Sequence, residues 1–409
     1  MRRLFTALLV VAVLPGPATA APTGPTPPPP TPVPPFGSPS PFPSVLETPK
    51  PSRRPPALSA AAAALADLDT GEVLWDRRGG KRRPVASLTK IMTVLFALEE
   101  TTPLEEVDIT PRAAAEGGAE LGLIAGEHIP VRELLYALML QSSNDAAVAL
   151  AEHIGGSVPR FVKRMNRRVR ELGLRRTRFA SPNGLDDTGY STARDLLTLT
   201  AEAFENERFA QIVRTKRRVI PAPRGPDRRI QNRNALLWLY RGALGVKTGF
   251  TSAAGFCLVA AAERDGLRLV AVVLGAPREA FSDAAAVLNH GFRAYERRTV
   301  VGEGDALDAL RLGGKRVPVA VGEEVEAVLP KKAAVETEVV PAEGLRLPVR
   351  DGEVVGELLV SVDGKEVARV PVVATATVRP APPVRPPWWR RYSAAAATFL
   401  LRFLGLAGI

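Results

Sequence analysis

The sequence predicts an α+β fold, built as a three-layer domain and followed by a small all-β domain. In residues 57–296, short strand-like runs stand at both ends and long runs with helical spacing stand between them. In residues 297–378 the helical spacing disappears, valine dominates, and Gly-Gly and Asp-Gly pairs separate short alternating runs. Strand-forming ends around helices favour a sheet that the N- and C-terminal segments close together. The 409 residues suffice for two or three domains with their own cores.

The mixed region opens with strand-like residues 58–69 and 72–75 around a hairpin-like Thr70-Gly71 turn. Apolar residues at helical spacing then predict three helices, in residues 85–100, 131–154 and 162–172. The region closes with two further strands and a helix, in residues 255–262, 267–274 and 284–295. Both ends of the region therefore supply strands to the predicted sheet.

The all-β region contains a strong hairpin signal. Residues 354–362 and 365–373 alternate in polarity around Asp363-Gly364, the dipeptide that tight hairpin turns favour. The sequence therefore predicts a separate small sheet in residues 297–378.

The first 20 residues have the pattern of a signal peptide. Arg2 and Arg3 precede an apolar run, residues 4–14, and small residues lead to Ala20. The run is shorter than the roughly 20 apolar residues that span a bilayer. We expect cleavage after Ala20 and export, with an uncleaved anchor as the alternative.

Residues 21–56 are predicted to be a linker. Of the 38 prolines in the chain, 16 fall in residues 22–56. Proline lacks the backbone N–H that helices and sheet ladders need, so this segment is expected to be an extended, disordered tether. A proline-rich ligand for a recognition module is the alternative interpretation.

Residues 379–409 combine a proline-rich hinge with an amphipathic end. Trp388 and Trp389 precede two arginines, and residues 393–409 are apolar except for Arg402. As a helix, this end is shorter than the hydrocarbon core, and paired tryptophans suit a membrane interface. We expect a helix that lies in the outer leaflet of the cytoplasmic membrane. A short transmembrane span and a helix packed on its own domain remain alternatives.

Composition excludes several classes of protein. The single cysteine, Cys257, excludes intramolecular disulfides and cysteine-rich zinc sites, and is predicted to be a small buried strand residue. Three separated histidines argue against a multi-histidine metal site and are interpreted as structural or solvated. The formal charge of +11, or +9 without Arg2 and Arg3, favours an anionic neighbour. Export would make this neighbour a lipid or a wall polymer rather than nucleic acid.

The first candidate site motif is Ser87-Leu88-Thr89-Lys90. A serine hydroxyl is a weak nucleophile until a base takes its proton. Residues i and i+3 of a helix share a face, so Lys90 can direct its amine at Ser87. This lysine must be neutral to act as a base, which requires burial or nearby positive charge. Alone, the motif is equally compatible with an ordinary helix N-terminus.

Two further motifs follow in order. Ser142-Ser143-Asn144 follows a largely apolar helical stretch. It is either a polar helix break or cap, or it supplies two site groups, Ser142 and Asn144. Lys247-Thr248-Gly249, followed by Phe250, is either a polar edge strand or a binding strand. In the second case Lys247 supplies positive charge and Gly249 leaves room for a ligand beside the backbone.

The three motifs together resemble the set found in penicillin-binding proteins and class A β-lactamases. The wider sequence is similar to the serine D-alanyl-D-alanine carboxypeptidases, peptidase family S11, over residues 57–296. The segments that carry this resemblance are residues 67–75, 83–93, 140–146, 179–185 and 247–255. It implies a β-lactamase/transpeptidase-like domain, an antiparallel sheet with helices. The all-β domain and the amphipathic end also match the family's usual order.

The resemblance implies a mechanism without metal or organic cofactor. Ser87 attacks the carbonyl between two D-alanines of a peptidoglycan stem peptide, and Lys90 takes its proton. Ser142, assisted by Lys247, relays a proton to the departing D-alanine. Water then hydrolyses the acyl-enzyme. β-Lactam antibiotics are expected to acylate the same serine.

Substrate binding is also implied by the resemblance. Asn144 holds the peptide's backbone amide, and Lys247 and Thr248 receive the terminal carboxylate on the strand that contains Gly249. The backbone N–H groups of Ser87 and Phe250 form an oxyanion hole.

One position departs from the family. Relatives often carry an arginine immediately before the phenylalanine that corresponds to Phe281, and this chain has Ala280 there. Arg278 is the nearby substitute to consider. Three alternative functions remain: a D,D-endopeptidase that cuts cross-links, a β-lactamase, and a non-catalytic envelope-binding protein. The added β domain and the amphipathic end favour the carboxypeptidase.

Overall fold

A computed structural model describes residues 56–186 and 188–382, together with Ala396, Phe399, Leu400 and Phe403. The predicted signal peptide, nearly all of the predicted linker and most of the C-terminal segment therefore lie outside the described residues. The expectations for those segments stay predictions.

The first region is built on a five-stranded antiparallel sheet. Its strands follow the order β2-β1-β9-β8-β7, so the beginning and the end of the region close one sheet, as predicted. The strands of this region are β1 (Ala62–Asp67), β2 (Val73–Arg77), β3 (Glu106–Asp108), β4 (His128–Pro130), β5 (Arg217–Ile220), β6 (Arg228–Gln231), β7 (Ala243–Thr251), β8 (Gly255–Arg264) and β9 (Leu267–Ala276).

Helices cover both faces of this sheet, which gives the three predicted layers. They are α1 (Lys90–Glu100), α2 (Pro111–Ala114), α3 (Val131–Tyr136), α4 (Asn144–Gly155), α5 (Val158–Glu171), α6 (Ala193–Phe204), α7 (Glu207–Arg214), α8 (Leu236–Leu239) and α9 (Phe281–Ala294). Helices α1 and α3 to α7 contribute to one buried cluster, and α8 and α9 contribute to the cluster on the other face.

Strand alternation assigns side chains to the two faces. Along β9, Val270 and Val272 enter the cluster under α1 and α6, whereas Leu269 and Ala271 enter the cluster under α9. Successive side chains of a strand point to opposite faces, so a strand with both faces covered is apolar throughout. This explains why the strand predicted at residues 267–274 is apolar at nearly every position.

The predicted helix of residues 131–154 is wrong as a continuous element. It is α3, a π-helical turn (Ala137–Gln141), and α4, separated by Ser142 in the left-handed region at φ 68°. A non-glycine residue in that region costs of order 1–3 kcal/mol and persists only where its surroundings enforce it. The break therefore marks the second motif as a special position rather than an ordinary helix end.

The sequence prediction also contains no helix for residues 193–214, where the structure has α6 and α7. Each begins with a side-chain cap: Thr192 Oγ1 accepts from the backbone N–H of Asp195 at 3.0 Å, and Asn206 Oδ1 accepts from that of Arg208 at 3.0 Å. Caps of this kind are a sequence signal for helix starts, and they could have located both helices.

The second region is all-β, as predicted. A five-stranded sheet in the order β11-β12-β16-β15-β14 packs with a two-stranded β10–β13 ladder around a core in which valine predominates. Its strands are β10 (Tyr295–Val301), β11 (Ala306–Leu312), β12 (Lys315–Val321), β13 (Val325–Pro330), β14 (Val335–Pro341), β15 (Val354–Val362) and β16 (Lys365–Ala374). The β15–β16 pair confirms the hairpin that Asp363-Gly364 indicated.

Candidate active site

Ser87 lies in a 3₁₀ turn, Ala86–Thr89, and Lys90 is the first residue of α1. Side chains three residues apart eclipse one another in a 3₁₀ turn. Lys90 Nζ accordingly lies 2.9 Å from Ser87 Oγ, within hydrogen-bond distance. Ala86, immediately before the serine, has a positive φ of 48°. The strained turn thus brings the hydroxyl directly beside the amine, as the motif spacing predicted.

Lys90 is fully buried, with 0% of its surface exposed. Burial, and secondarily the positive charge of Arg233, lower its pKa from 10.5 to about 7. Its Nζ also donates to Asn144 Oδ1 at 2.8 Å and to the carbonyl oxygen of Asn183 at 2.7 Å. Near neutral pH a large fraction of this lysine is unprotonated, so it can take the proton of Ser87.

A second buried lysine stands on β7. Lys247 is 1% exposed, and its Nζ donates to the carbonyl oxygen of Thr248 at 3.0 Å. Burial holds the pKa of Lys247 well below its usual range, and the positive charges of Lys90 and Arg233 act in the same direction. Arg233 and the two lysines therefore interact electrostatically, and the positive charge of Arg233 favours the neutral form of each lysine.

The second motif supplies two buried side chains. Ser142 follows the π-helical turn, and Asn144 begins α4. Asn144 Oδ1 accepts from Lys90, and its Nδ2 donates to the carbonyl oxygen of Gly117 at 2.8 Å. Asn144 is thus a positioning partner of the lysine, which the sequence did not predict. Its contact with the peptide amide of the substrate stays a prediction.

The third motif lies on β7, the edge strand of the sheet. A β carbon built on Gly249 would stand 3.1 Å from Val85 O, 3.2 Å from Ser87 N and 3.3 Å from Leu88 N. Glycine therefore lets the strand approach the backbone of the serine turn, a more specific reason than room for a ligand. Phe250, next along the edge, is half-exposed. This approach places the strand beside the N–H of Ser87, one of the two expected oxyanion donors.

We expect Gly249→Ala to lower kcat/KM on a D-Ala-D-Ala peptide by about 10- to 100-fold while the protein stays folded. The added methyl group must push β7 away from Ser87, and small misplacements of reacting groups cost rates of this size. Steady-state kinetics and thermal melting would measure both effects. Gly80→Ala is the matched control, because its β carbon meets only Arg176 Nη1, at an ordinary 3.9 Å. Wild-type kinetics in the Gly249 variant would contradict the packing argument.

The loop that contains Asn183 and Gly184 supports the serine turn, and the sequence assigned it no role. Gly184 has φ +77°, and a β carbon there would meet Ala86 O at 2.0 Å. The carbonyl oxygen of the neighbouring Asn183 accepts a hydrogen bond from Lys90 Nζ, and Asn183 Nδ2 donates to Glu116 Oε1 at 2.8 Å. The family resemblance over residues 179–185 marked this segment, but it assigned no function to Asn183 or Gly184. These residues fix the amine of Lys90 in place.

The structure shows the surroundings of Ala280 and Arg278, the two positions considered for a carboxylate-binding arginine. Ala280 is buried in the core under α9, and Arg278 is exposed, with no hydrogen bond or ion pair to another described residue. The structure instead places Arg233 close enough to influence both site lysines. Sequence spacing gave no reason to connect residue 233 with the motifs, because the chain returns to the site only through the fold.

Cys257 and the three histidines have surroundings of the kind that the sequence predicted. Cys257 is buried in β8, and burial raises the pKa of its thiol to about 11. His128 and His153 are each within hydrogen-bond distance of a carboxylate, and His290 packs edge-on against Trp75. Among the described residues, no three His, Cys, Asp or Glu side chains are grouped to hold a metal ion.

Fold and site together define a class of protein. A serine hydroxyl beside a buried lysine of lowered pKa, on a sheet covered by helices on both faces, characterises the serine acyl-transfer enzymes to which penicillin-binding proteins belong. The chain belongs to the D-alanyl-D-alanine carboxypeptidase family, peptidase family S11, whose sequence profile matches residues 49–278. The profile of the penicillin-binding protein 5 C-terminal domain matches residues 295–380.

Individual relatives agree with this assignment. The chain is 32% identical over 329 residues to D-alanyl-D-alanine carboxypeptidase DacF of Bacillus subtilis, covering 77% of this chain and 85% of the relative. It is 37% identical over 247 residues to DacB2 of Mycobacterium tuberculosis, covering 58% and 83%. The solved structure of penicillin binding protein 5 from Haemophilus influenzae superposes with a TM-score of 0.64 at 30% identity, covering 80% and 100%. The predicted family, fold and class of enzyme are confirmed.

Proposed function

We propose that this chain removes the terminal D-alanine from peptidoglycan stem pentapeptides through an acyl-enzyme on Ser87. The observation that carries the proposal is the 2.9 Å contact between Ser87 Oγ and the buried Lys90 Nζ. A lysine with a pKa of about 7 is suited to general-base work at neutral pH. Membership of the carboxypeptidase family supplies the substrate class.

The first half-reaction forms the acyl-enzyme. Ser87 Oγ bonds to the carbonyl carbon of the penultimate D-alanine while Lys90 Nζ takes the hydroxyl proton. The backbone N–H groups of Ser87 and Phe250 stabilise the oxyanion. When the carbon–nitrogen bond breaks, Ser142, assisted by Lys247, passes a proton to the departing amine. An ester to Ser87 remains.

The second half-reaction releases the shortened peptide. A water molecule attacks the ester carbonyl, its proton passes to the lysine base, and Ser87 Oγ leaves and is reprotonated. The terminal carboxylate of the incoming peptide would lie against Lys247 and Thr248. Arg233 would add positive charge there, which replaces the arginine that is missing at Ala280. β-Lactams would enter the same sequence as covalent inhibitors.

Mass spectrometry of a defined substrate tests the proposal. Incubation with a pentapeptide that ends in D-Ala-D-Ala should give free D-alanine and a tetrapeptide. A cross-linked dimer distinguishes the alternative function, a D,D-endopeptidase, because only an endopeptidase returns two monomers. No loss of D-alanine from the pentapeptide would contradict the carboxypeptidase proposal, and fluorescent penicillin would then show whether Ser87 reacts at all.

We propose further that the chain is exported and attached to the outer face of the cytoplasmic membrane. The pattern of residues 1–20 supports export. Phe399, Leu400 and Phe403 are helical and exposed, and their spacing places them on one helical face. Within the described ranges, no helix combines the length and apolarity needed to cross a bilayer. Deletion of residues 393–409 should release the protein from membranes, and continued membrane binding would contradict the proposed attachment.

A further inference from the structure

A second cavity lies on the face of the main sheet opposite the serine. It has a volume of about 330 Å³ and is lined by the β8–β9 turn, the end of α9, the start of β10 and Lys331. Its aromatic lining residues, Phe292 and Tyr295, pack on the core under α9, whereas the catalytic turn packs on the other core. The cavity is therefore separate from the catalytic cleft, and nothing in the mechanism above uses it.

The cavity is rich in positive charge that is not neutralised. Four lining cations form no ion pair with any carboxylate among the described residues: Arg241, Arg264, Arg293 and Lys331. The fifth, Arg297, pairs with Asp67 and Asp69 outside the cavity. Two carboxylates also line the wall, Asp265 and Glu296. Cations still predominate, and clustered cations repel one another unless an anion lies between them.

Two of these cations are held in place by neutral partners. The Arg264 guanidinium lies over the rings of Tyr240 and Phe292, 4.4 Å and 4.6 Å from their centroids. Its Nε donates to the carbonyl oxygen of Arg241 at 3.3 Å. Lys331 Nζ donates to the carbonyl oxygen of Phe292 at 3.1 Å. Stacking fixes the plane of a guanidinium and leaves its positive charge unpaired. Arg264 and Lys331 are therefore oriented before any ligand binds.

Two buried donors at the cavity have no acceptor. The Nε atoms of Arg293 and Arg297 are buried without a hydrogen-bond partner, while both residues line the cavity. Buried donors are nearly always paired in native proteins, so an unpaired one calls for a missing acceptor. Both guanidinium groups therefore retain unused donor capacity beside the cavity.

We propose that this cavity binds a phosphate-bearing ligand. Guanidinium groups present paired donors that match phosphate oxygens, and an ammonium adds a point charge at the same site. The volume is at the lower end of the range of about 300–1,000 Å³ that is usual for small-molecule pockets. A small phosphate compound or the head group of a phosphate diester therefore fits its size and its charge.

Isothermal titration calorimetry of the full chain tests the proposal with three soluble probes. These are inorganic phosphate, pyrophosphate and glycerophosphoglycerol, the soluble diester head group of an anionic lipid. Prior saturation with benzylpenicillin blocks the catalytic cleft, so that the binding heat comes from the second cavity. Tighter binding of the diester would indicate a lipid or wall-polymer source, and tighter binding of pyrophosphate a free phosphate compound.

Two variants examine the cavity directly. Arg293→Gln and Arg241→Gln should each weaken binding at least tenfold, because each removes a charge-assisted contact. Arg170→Gln on the exposed surface of α5 is the matched control and should change binding less than twofold. Carboxypeptidase activity should be unchanged in all three variants. The proposal is wrong if no probe binds saturably, or if the control weakens binding as much as the cavity variants do.

Discussion

Ser87→Ala is expected to abolish both acylation by penicillin and release of D-alanine. Loss of the Oγ atom removes the only group that the mechanism bonds to the substrate. Removing the nucleophile of a serine hydrolase costs on the order of 10⁶-fold in kcat. The substitution should leave the fold intact, because it removes one hydroxyl and keeps the backbone of the turn, which Gly184 and Gly249 approach closely.

Fluorescent penicillin labelling on gels and the pentapeptide assay would measure the two losses in the Ser87 variant. Ser361→Ala, on β15 of the all-β domain, removes a hydroxyl far from the motifs in the sequence and should label like the wild type. Labelling of Ser87→Ala at wild-type strength would refute the nucleophile assignment. Loss of labelling together with a lowered melting temperature would require Ser87→Cys, which keeps a nucleophile in the same turn.

Lys90→Met is expected to lower the acylation rate by on the order of 10²–10⁴-fold, the usual contribution of a general base. Methionine is apolar and of similar length, so it fills the buried position without the amine. The same lysine should set the pH dependence of the wild type. Its pKa is about 7, so protonation below that pH removes the base. The rate kcat/KM should then fall about tenfold for each pH unit below 7 and level off above it.

Stopped-flow acylation from pH 5 to pH 9 would measure this acid limb in the wild type. Lys90→Met should be acylated slowly at every pH, and its rate should not show the fall below pH 7. Lys163→Met, on the exposed surface of α5, is the control for losing a lysine and should keep the wild-type profile. An acid limb that persists unchanged in the Lys90 variant would assign the titration to another group. Lys247, whose pKa is also lowered, would be examined next.

Much of the fold was predictable because its strands and hairpins are local patterns. The β15–β16 hairpin follows from Asp363-Gly364 between alternating runs, and the β8–β9 pair from two apolar runs around a polar turn. Helix α5 follows from apolar spacing. A polar break at Ser142 was one alternative from the sequence, but its π-helical turn and left-handed residue could not be predicted, because both oppose local preference. Packing around the site enforces that conformation.

The same division holds for the active site. Ser87 and Lys90 are three residues apart, so local backbone geometry alone brings them together, and the sequence predicted the pair. Asn183 accepts a hydrogen bond from the lysine, and Arg233 acts on it through its charge, each from a distant part of the chain. No spacing rule connects them, and the sequence marked neither as a partner of the lysine.

The sequence by itself determined the family, the order of the three motifs and the serine with its base, because these depend on residue identity and short spacing. Only the tertiary structure decided whether Lys90 can serve as a base. Its lowered pKa comes from complete burial and from the charge of Arg233. Desolvation and Coulomb interactions depend on what surrounds a group in space, and that environment exists only once the sheet, α1 and α4 pack together.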